Sequence, residues 1–139
     1  MKISEVMSNA VEIVGTEASL YDIAKKMKKS DCGCVVVVKD DRLVGMVTDR
    51  DIALRCIAEN HHPHEMVAEK IMTRDILYCR DTDDTDAVVR NMALNKVRRL
   101  PVLNAEKRLV GIVSLGDLAS HTNHELCGQA LGEICRAAA

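Results

Sequence analysis

The chain has 139 residues, of which 47% are hydrophobic and 29% charged, the balance of a folded globular protein able to bury a core. Trp and Phe are absent and only Tyr21 and Tyr78 carry phenol rings, so the core must be aliphatic and stacking of single-stranded bases has almost nothing to work with. A formal charge of -2, a pI near 6.2 and the lack of a long basic run argue against a nucleic-acid partner, and no stretch of about 18 uncharged apolar residues offers a membrane span.

The opening, MKISEVMSNAVEIV, lacks the long apolar stretch of a signal peptide. A soluble, cytoplasmic protein with reduced thiols is therefore expected, because a disulfide framework belongs to exported chains. Val11 to Val14 reads as a short first strand. A helix follows, with Leu20, Ile23, Ala24 and Met27 at i, i+3, i+4 and i+7 and with Ser19 and Asp22 spaced as a capping box. Two apolar runs of strand length, Cys34 to Val38 and Leu43 to Val47, are joined by the turn KDDR, and a second helix starts at Asp51. In the polar connector ENHHPHEMVAEK, His61, His62 and His64 lack the spacing of a fixed tetrahedral set and read as solvated linker, so no metal site is assigned. Cys32-Gly33-Cys34 is C-x-C rather than C-x-x-C and reads as a buried or semi-exposed thiol pair.

The same order then returns. Ile76 to Tyr78 stands for the first strand, Asp84 takes the place of Ser19, and Val88, Val89 and Met92 form the helix stripe. Leu100 to Leu103 and Leu109 to Val113 are the strand pair, and a helix begins at Asp117. Met7 matches Met72 and Met27 matches Met92 at a spacing of 65, and one extra residue near Lys107 makes it 66, joining Gly45 to Gly111 and Asp51 to Asp117. The predicted organisation is a β-α-β-β-α repeat over residues 1–60, a connector over 61–70, a second repeat over 71–123 and a helical extension over 124–139. Neither repeat can cover both faces of a small sheet alone, so the two are expected to pack as one pseudo-two-fold unit of the α/β (α+β) class.

The strongest internal match is RLVGMVTDRDIA, Arg42 to Ala53, against RLVGIVSLGDLA, Arg108 to Ala119, identical at seven of twelve positions. Thr48 with Asp51, and Ser114 with Asp117, fit a capping box that satisfies the orphan N–H groups of a helix start. They also fit a ligand site. A glycine permits close backbone approach, a helix N-terminus attracts anions, and a carboxylate accepts two hydrogen bonds from a vicinal diol. No nucleophile elbow, Walker loop or His-Glu pair at zinc spacing occurs, so catalysis is not expected.

The doubled pattern, with the openings VMSN and IMTR, the segment VRRLPV, and above all GMVTDRDI and GIVSLGDL, resembles the paired cystathionine-β-synthase (CBS) domain, or Bateman module, from about Met1 to Asn123. The resemblance implies a stand-alone regulatory module whose clefts between the repeats bind AMP, ADP, ATP, NAD or S-adenosylmethionine and which signals to a protein in trans or as a homodimer. By position, Asp51 and Asp117 would hold ribose hydroxyls, and Thr48 and Ser114 would reach toward ribose or phosphate. Met46, Ile112, Val11, Ile76, Cys32 and Val97 would flank adenine. Arg98 and Arg99 stand where phosphate should lie, with Gly33 and Cys34 at the matching place in the first repeat; Arg50, in the first turn, faces Gly116 in the second. The two clefts are therefore expected to differ toward phosphate. Two other functions remain open on the same fold: a scaffold with empty clefts, and a thiol or metal sensor. The segment DIALRCIA carries Ile52, Leu54, Cys56 and Ile57 on more than one face, which adds the expectation of a homodimer.

Overall fold

The computed structural model describes residues 1–138, which form two compact units: Val11–Ile76, called here the first unit, and Met1–Ala10 with Leu77 onward, the second. In the first, β1 (Ile13–Gly15) is followed by α1 (Leu20–Ser30), the hairpin β2 (Cys34–Lys39) and β3 (Arg42–Thr48), the turn α2 (Asp49–Asp51) running into a π-helical stretch over Ile52–Ile57, and α3 (Ala68–Ile71). In the second, a 3-10 turn over Ile3–Glu5 joins β4 (Cys79–Arg80), α4 (Thr85–Asn95), β5 (Arg99–Leu103), β6 (Leu109–Ser114), α5 (Leu115–Ala119) and α6 (His124–Ala138). Ala139, the last residue of the expected extension, lies outside the described residues.

Each unit holds a three-stranded sheet, β1-β2-β3 or β4-β5-β6, with the first pair parallel and the second antiparallel. This is the mixed α/β (α+β) repeat expected from the sequence. The first strands start later than the apolar pattern predicts. Pairing begins at Ile13 opposite Val36 and at Cys79 opposite Val102, whereas Leu77 and Tyr78 are exposed. Apolarity marks a strand only where a partner edge is present to accept it. The first hairpin turns on Asp40 and Asp41, both at positive φ as a two-residue type I′ turn requires. The second spends its extra residue on a longer turn, in which the Asn104 carboxamide accepts from the N–H groups of Glu106 and Arg108 and Lys107 takes the positive φ.

The opening of each repeat is built into the sheet of the other. In the second unit, Ser8 and Ile112 exchange N–H to C=O bonds of 2.9 and 3.0 Å, and Ile3 donates to the Asp83 carbonyl at 2.9 Å. In the first, Thr73 and Met46 exchange bonds of 2.9 and 3.1 Å, and Ala68 donates to the Ala18 carbonyl at 2.9 Å. Ile3 and Val6 thereby enter the aliphatic core of Val89, Met92, Leu100 and Leu118, while Ala68 and Ile71 join Leu20, Ile23, Val35 and Val47.

The two long helices differ because of what covers them. In α1, Ser19 caps by accepting from the Asp22 N–H, and Leu20, Ile23 and Met27 are buried while Lys25, Lys28 and Lys29 face out. The corresponding residues of α4 are Arg90, Ala93 and Leu94; α6 packs beside them, half-burying Ala93 and burying its own Cys127, Ala130 and Ile134 in the core of the second unit, while Leu94 stays 82% exposed. A helix that is apolar on two faces needs a second neighbour, and α6 supplies it at Ala93 but not at Leu94.

Candidate functional site

Both repeated motifs close as reciprocal caps. Thr48 Oγ1 accepts from the Asp51 N–H at 3.1 Å while Asp51 Oδ2 accepts from the Thr48 N–H at 3.0 Å. Ser114 Oγ and Asp117 Oδ2 repeat the pair at 3.0 and 2.9 Å. Each cap uses one carboxylate oxygen, and the fate of the other differs. Asp51 Oδ1 lies 3.7 Å from Arg55 Nε, and Arg55 is itself anchored through Nη1 to the Ile71 carbonyl at 2.9 Å. Asp117 Oδ1 has no partner among the described residues, since His121, four residues on, meets the Asp117 carbonyl instead. Among the described residues, then, Asp51 Oδ1 shares a 3.7 Å ion pair with a half-exposed arginine, and Asp117 Oδ1 has no charged neighbour at that range.

A second asymmetry lies one residue into each cap. The backbones match: Asp49 N–H donates to the Gly33 carbonyl at 3.0 Å, and Leu115 N–H to the Arg98 carbonyl at 2.8 Å. The side chains exchange charge. In the first unit the Asp49 carboxylate lies against Gly33, with Oδ2 only 2.8 Å from where a β-carbon would stand. In the second unit Leu115 is buried, and it and the exposed Arg98 line the same cavity. The first location therefore carries a carboxylate, with the exposed Arg50 next to it in the chain, where the second carries the Arg98 guanidinium. Asp49 was not singled out by the motif, although its alignment with Leu115 and that of Gly33 with Arg98 is the compensating pair that marks it.

The second unit contains a cavity of about 520 Å³ bounded by Arg98, Arg99, Ser114 and Gly116 on one side and by α6 on the other. Neither arginine has a carboxylate within ion-pair distance among the described residues. Asp117, Ile112 and Val97 do not bound this cavity; Asp117 is tied to it through Ser114, its partner in the cap. Within the first unit, Met46 and Thr48 lie at the end of β3, Cys32 and Gly33 precede β2, and Arg50 is exposed on α2. Val11 and Ile76 are half-buried and stand outside β1 and β4. Gly45 and Gly111 serve the chain itself rather than a ligand: the space over them is filled by Met72 with Thr73 and by Met7 with Ser8.

Among the remaining candidates, the His64 ring lies tilted against Tyr21 with centroids 4.1 Å apart, and His62 stacks on His64 at 5.2 Å. Cys34, Cys56, Cys79 and Cys127 are buried thiols, Cys32 is half-buried and Cys135 exposed. Burial, aided by the Asp83 carboxylate, pushes the Cys79 thiol up from 9.0 to about 12. Among the described residues no group of three or more His, Cys, Asp or Glu is gathered to hold a metal ion, and no helix is long and apolar enough to cross a membrane.

Comparison with known proteins shows the family and the fold. The family model described as CBS domain matches residues 3–57 and 67–123, and the chain belongs to that family as a tandem pair. It is 37% identical over 136 residues to the uncharacterized protein YlbB of Bacillus subtilis (strain 168), covering 96% of this chain and 90% of that one. The CBS domain protein TA0289 of Thermoplasma acidophilum superposes with a TM-score of 0.86 at 25% identity, over 96% of this chain and 75% of that chain. The CBS domain pair of protein MJ0100, solved in complex with 5-methylthioadenosine and S-adenosyl-L-methionine, superposes with a TM-score of 0.77 at 26% identity, over 86% and 94% of the two chains.

Proposed function

We propose that the protein is a regulatory module, not an enzyme, that binds an adenine nucleotide (AMP, ADP or ATP) in its second unit and signals the occupancy to a partner protein. The observation that carries this reading is the grouping of Arg98, Arg99 and Ser114 around one cavity, where the first unit sets the Asp49 carboxylate over Gly33. Two guanidinium groups without acidic partners among the described residues offer forked, charge-assisted donors suited to phosphate oxygens. They disfavour a sulfonium ligand such as S-adenosylmethionine, which is cationic at sulfur. The sugar and base of this reading extend from the cavity past Ser114, where its cap partner Asp117 offers Oδ1 to a ribose hydroxyl and the half-buried aliphatic Val97 and Ile112, which do not bound the cavity, offer a purine dispersion and area burial rather than ring stacking.

A thermal-shift series with AMP, ADP, ATP, NAD, S-adenosylmethionine and adenosine tests the reading. A nucleotide at about 100 times its dissociation constant stabilises the fold by about 2.7 kcal/mol, a shift of several degrees for a domain of this size. Replacing Arg98 and Arg99 by alanine is expected to remove most of the ATP shift and leave that of adenosine nearly intact. Equal losses for both would assign the arginines to the fold, and no shift with any adenosine compound would favour the scaffold.

A further inference from the structure

The cavity beside Arg98 and Arg99 has a wall that neither CBS repeat provides. Its far side is α6, through His124 at the first position of the helix, Gly128 and Leu131. This helix begins just past the second matched stretch, which ends at residue 123. Its docked stripe is Cys127, Ala130 and Ile134, buried against the core, while Gly128 and Leu131 are exposed to the cavity. Nothing lies within 4 Å of where a β-carbon on Gly128 would stand, so the helix leaves an opening opposite the arginines.

We infer that α6 is the second wall of the phosphate-ligand site, so that a phosphorylated small molecule held by Arg98 and Arg99 closes against Gly128 and Leu131 and its occupancy is reported through the docking of this helix. The identity of the ligand as an adenine nucleotide rests on the function proposed above; the role of α6 requires only a phosphorylated one. A ligand that touches both walls binds the docked arrangement better than any arrangement in which α6 has moved away, and this difference in affinity is what a partner protein reads. In the first unit the matching locus is closed by Asp49 over Gly33, so the reporting helix and the cationic wall belong to the same unit.

The test uses the full chain with ATP and inorganic pyrophosphate as probes, followed by calorimetry, and two leucine substitutions on α6. Gly128→Leu fills the cavity from the α6 side. Gly132→Leu is the control, because Gly132 also has open space around it but lines a different groove, between α4 and α6. Both replace a helical glycine with a better helix former, so neither is expected to lower the melting temperature of the free protein. Gly128→Leu is expected to weaken ATP and pyrophosphate by about tenfold or more, and Gly132→Leu to change either by less than about twofold. In the unaltered chain, ATP should slow amide exchange along α6, a readout that stands whether or not the variant folds. Unchanged affinity in Gly128→Leu, or unchanged exchange in α6 on binding, overturns the role of the helix while leaving the nucleotide site in place. Pyrophosphate binding that Gly128→Leu blocks, in a chain indifferent to ATP and adenosine, keeps α6 as a wall and overturns the adenine reading. Binding of neither probe overturns both.

Discussion

The thioether sulfur of Met7 lies across Gly111, 2.6 Å from where a β-carbon on that glycine would stand, and the Ser8 carbonyl is at 2.8 Å from the same point. Met72 and Thr73 cover Gly45 in the same way, with the sulfur at 2.5 Å and the carbonyl at 3.0 Å. A methionine side chain swings aside at small cost, but a carbonyl engaged in strand pairing does not. Gly111→Ala is therefore expected to destabilise the protein by about 1–3 kcal/mol, and Gly45→Ala by less. Thermal unfolding of the two variants measures the difference. Adding Met7→Ala should fail to restore Gly111→Ala, because the Ser8 carbonyl remains.

The twin caps predict a split between stability and binding. Asp51→Ala and Asp117→Ala each remove an acceptor at a helix start, which costs about 0.5–2 kcal/mol of stability. Only Asp117→Ala should also weaken adenosine and ATP, both to a similar degree, since the sugar is common to them. Calorimetry on the two variants decides the assignment, and a chain in which Asp51→Ala alone loses binding would place the ribose in the first unit.

The buried Cys79 thiol makes stability fall at alkaline pH. Its folded value, near 12, lies above the ordinary value of 9.0, so the folded chain holds a proton that the unfolded chain releases. The stabilisation is complete below about pH 9 and is lost as pH rises toward about 12. Urea titrations of the native protein and of Cys79→Ala across this range should converge as pH rises. At neutral pH a thiol reagent is expected to label Cys135 first, since it alone among the six is exposed.

Homodimer formation is expected through the π-helical stretch of the first unit. There Cys56 is fully buried, while Leu54 and Ile57 are 47% and 58% exposed, a pair of large aliphatic side chains left to solvent by the chain's own fold. Leu54→Glu with Ile57→Glu should halve the mass in sedimentation at micromolar concentration and remove any dependence of the melting temperature on protein concentration. A native chain that already sediments as a monomer would overturn this.

The sequence by itself determined the β-α-β-β-α order, its doubling and the two caps, because each rests on local periodicity or on residues three apart: Leu20, Ile23 and Met27 on one helix face, Thr48 with Asp51, Ser114 with Asp117. It also marked Arg98 and Arg99 as unequal to Gly33 and Cys34. It missed the exact onset of β1 and β4, since strand pairing needs a partner edge that apolarity does not announce. Only the tertiary structure decided that Met7 and Ser8 complete the sheet of the second repeat and Met72 and Thr73 that of the first, because such pairings join segments far apart in the chain. It likewise decided that Arg55 takes the second oxygen of Asp51, that Asp49 closes over Gly33, and that α6 covers α4 and walls the cavity. Charge and packing at those points depend on distances across the fold, which no spacing along the sequence contains.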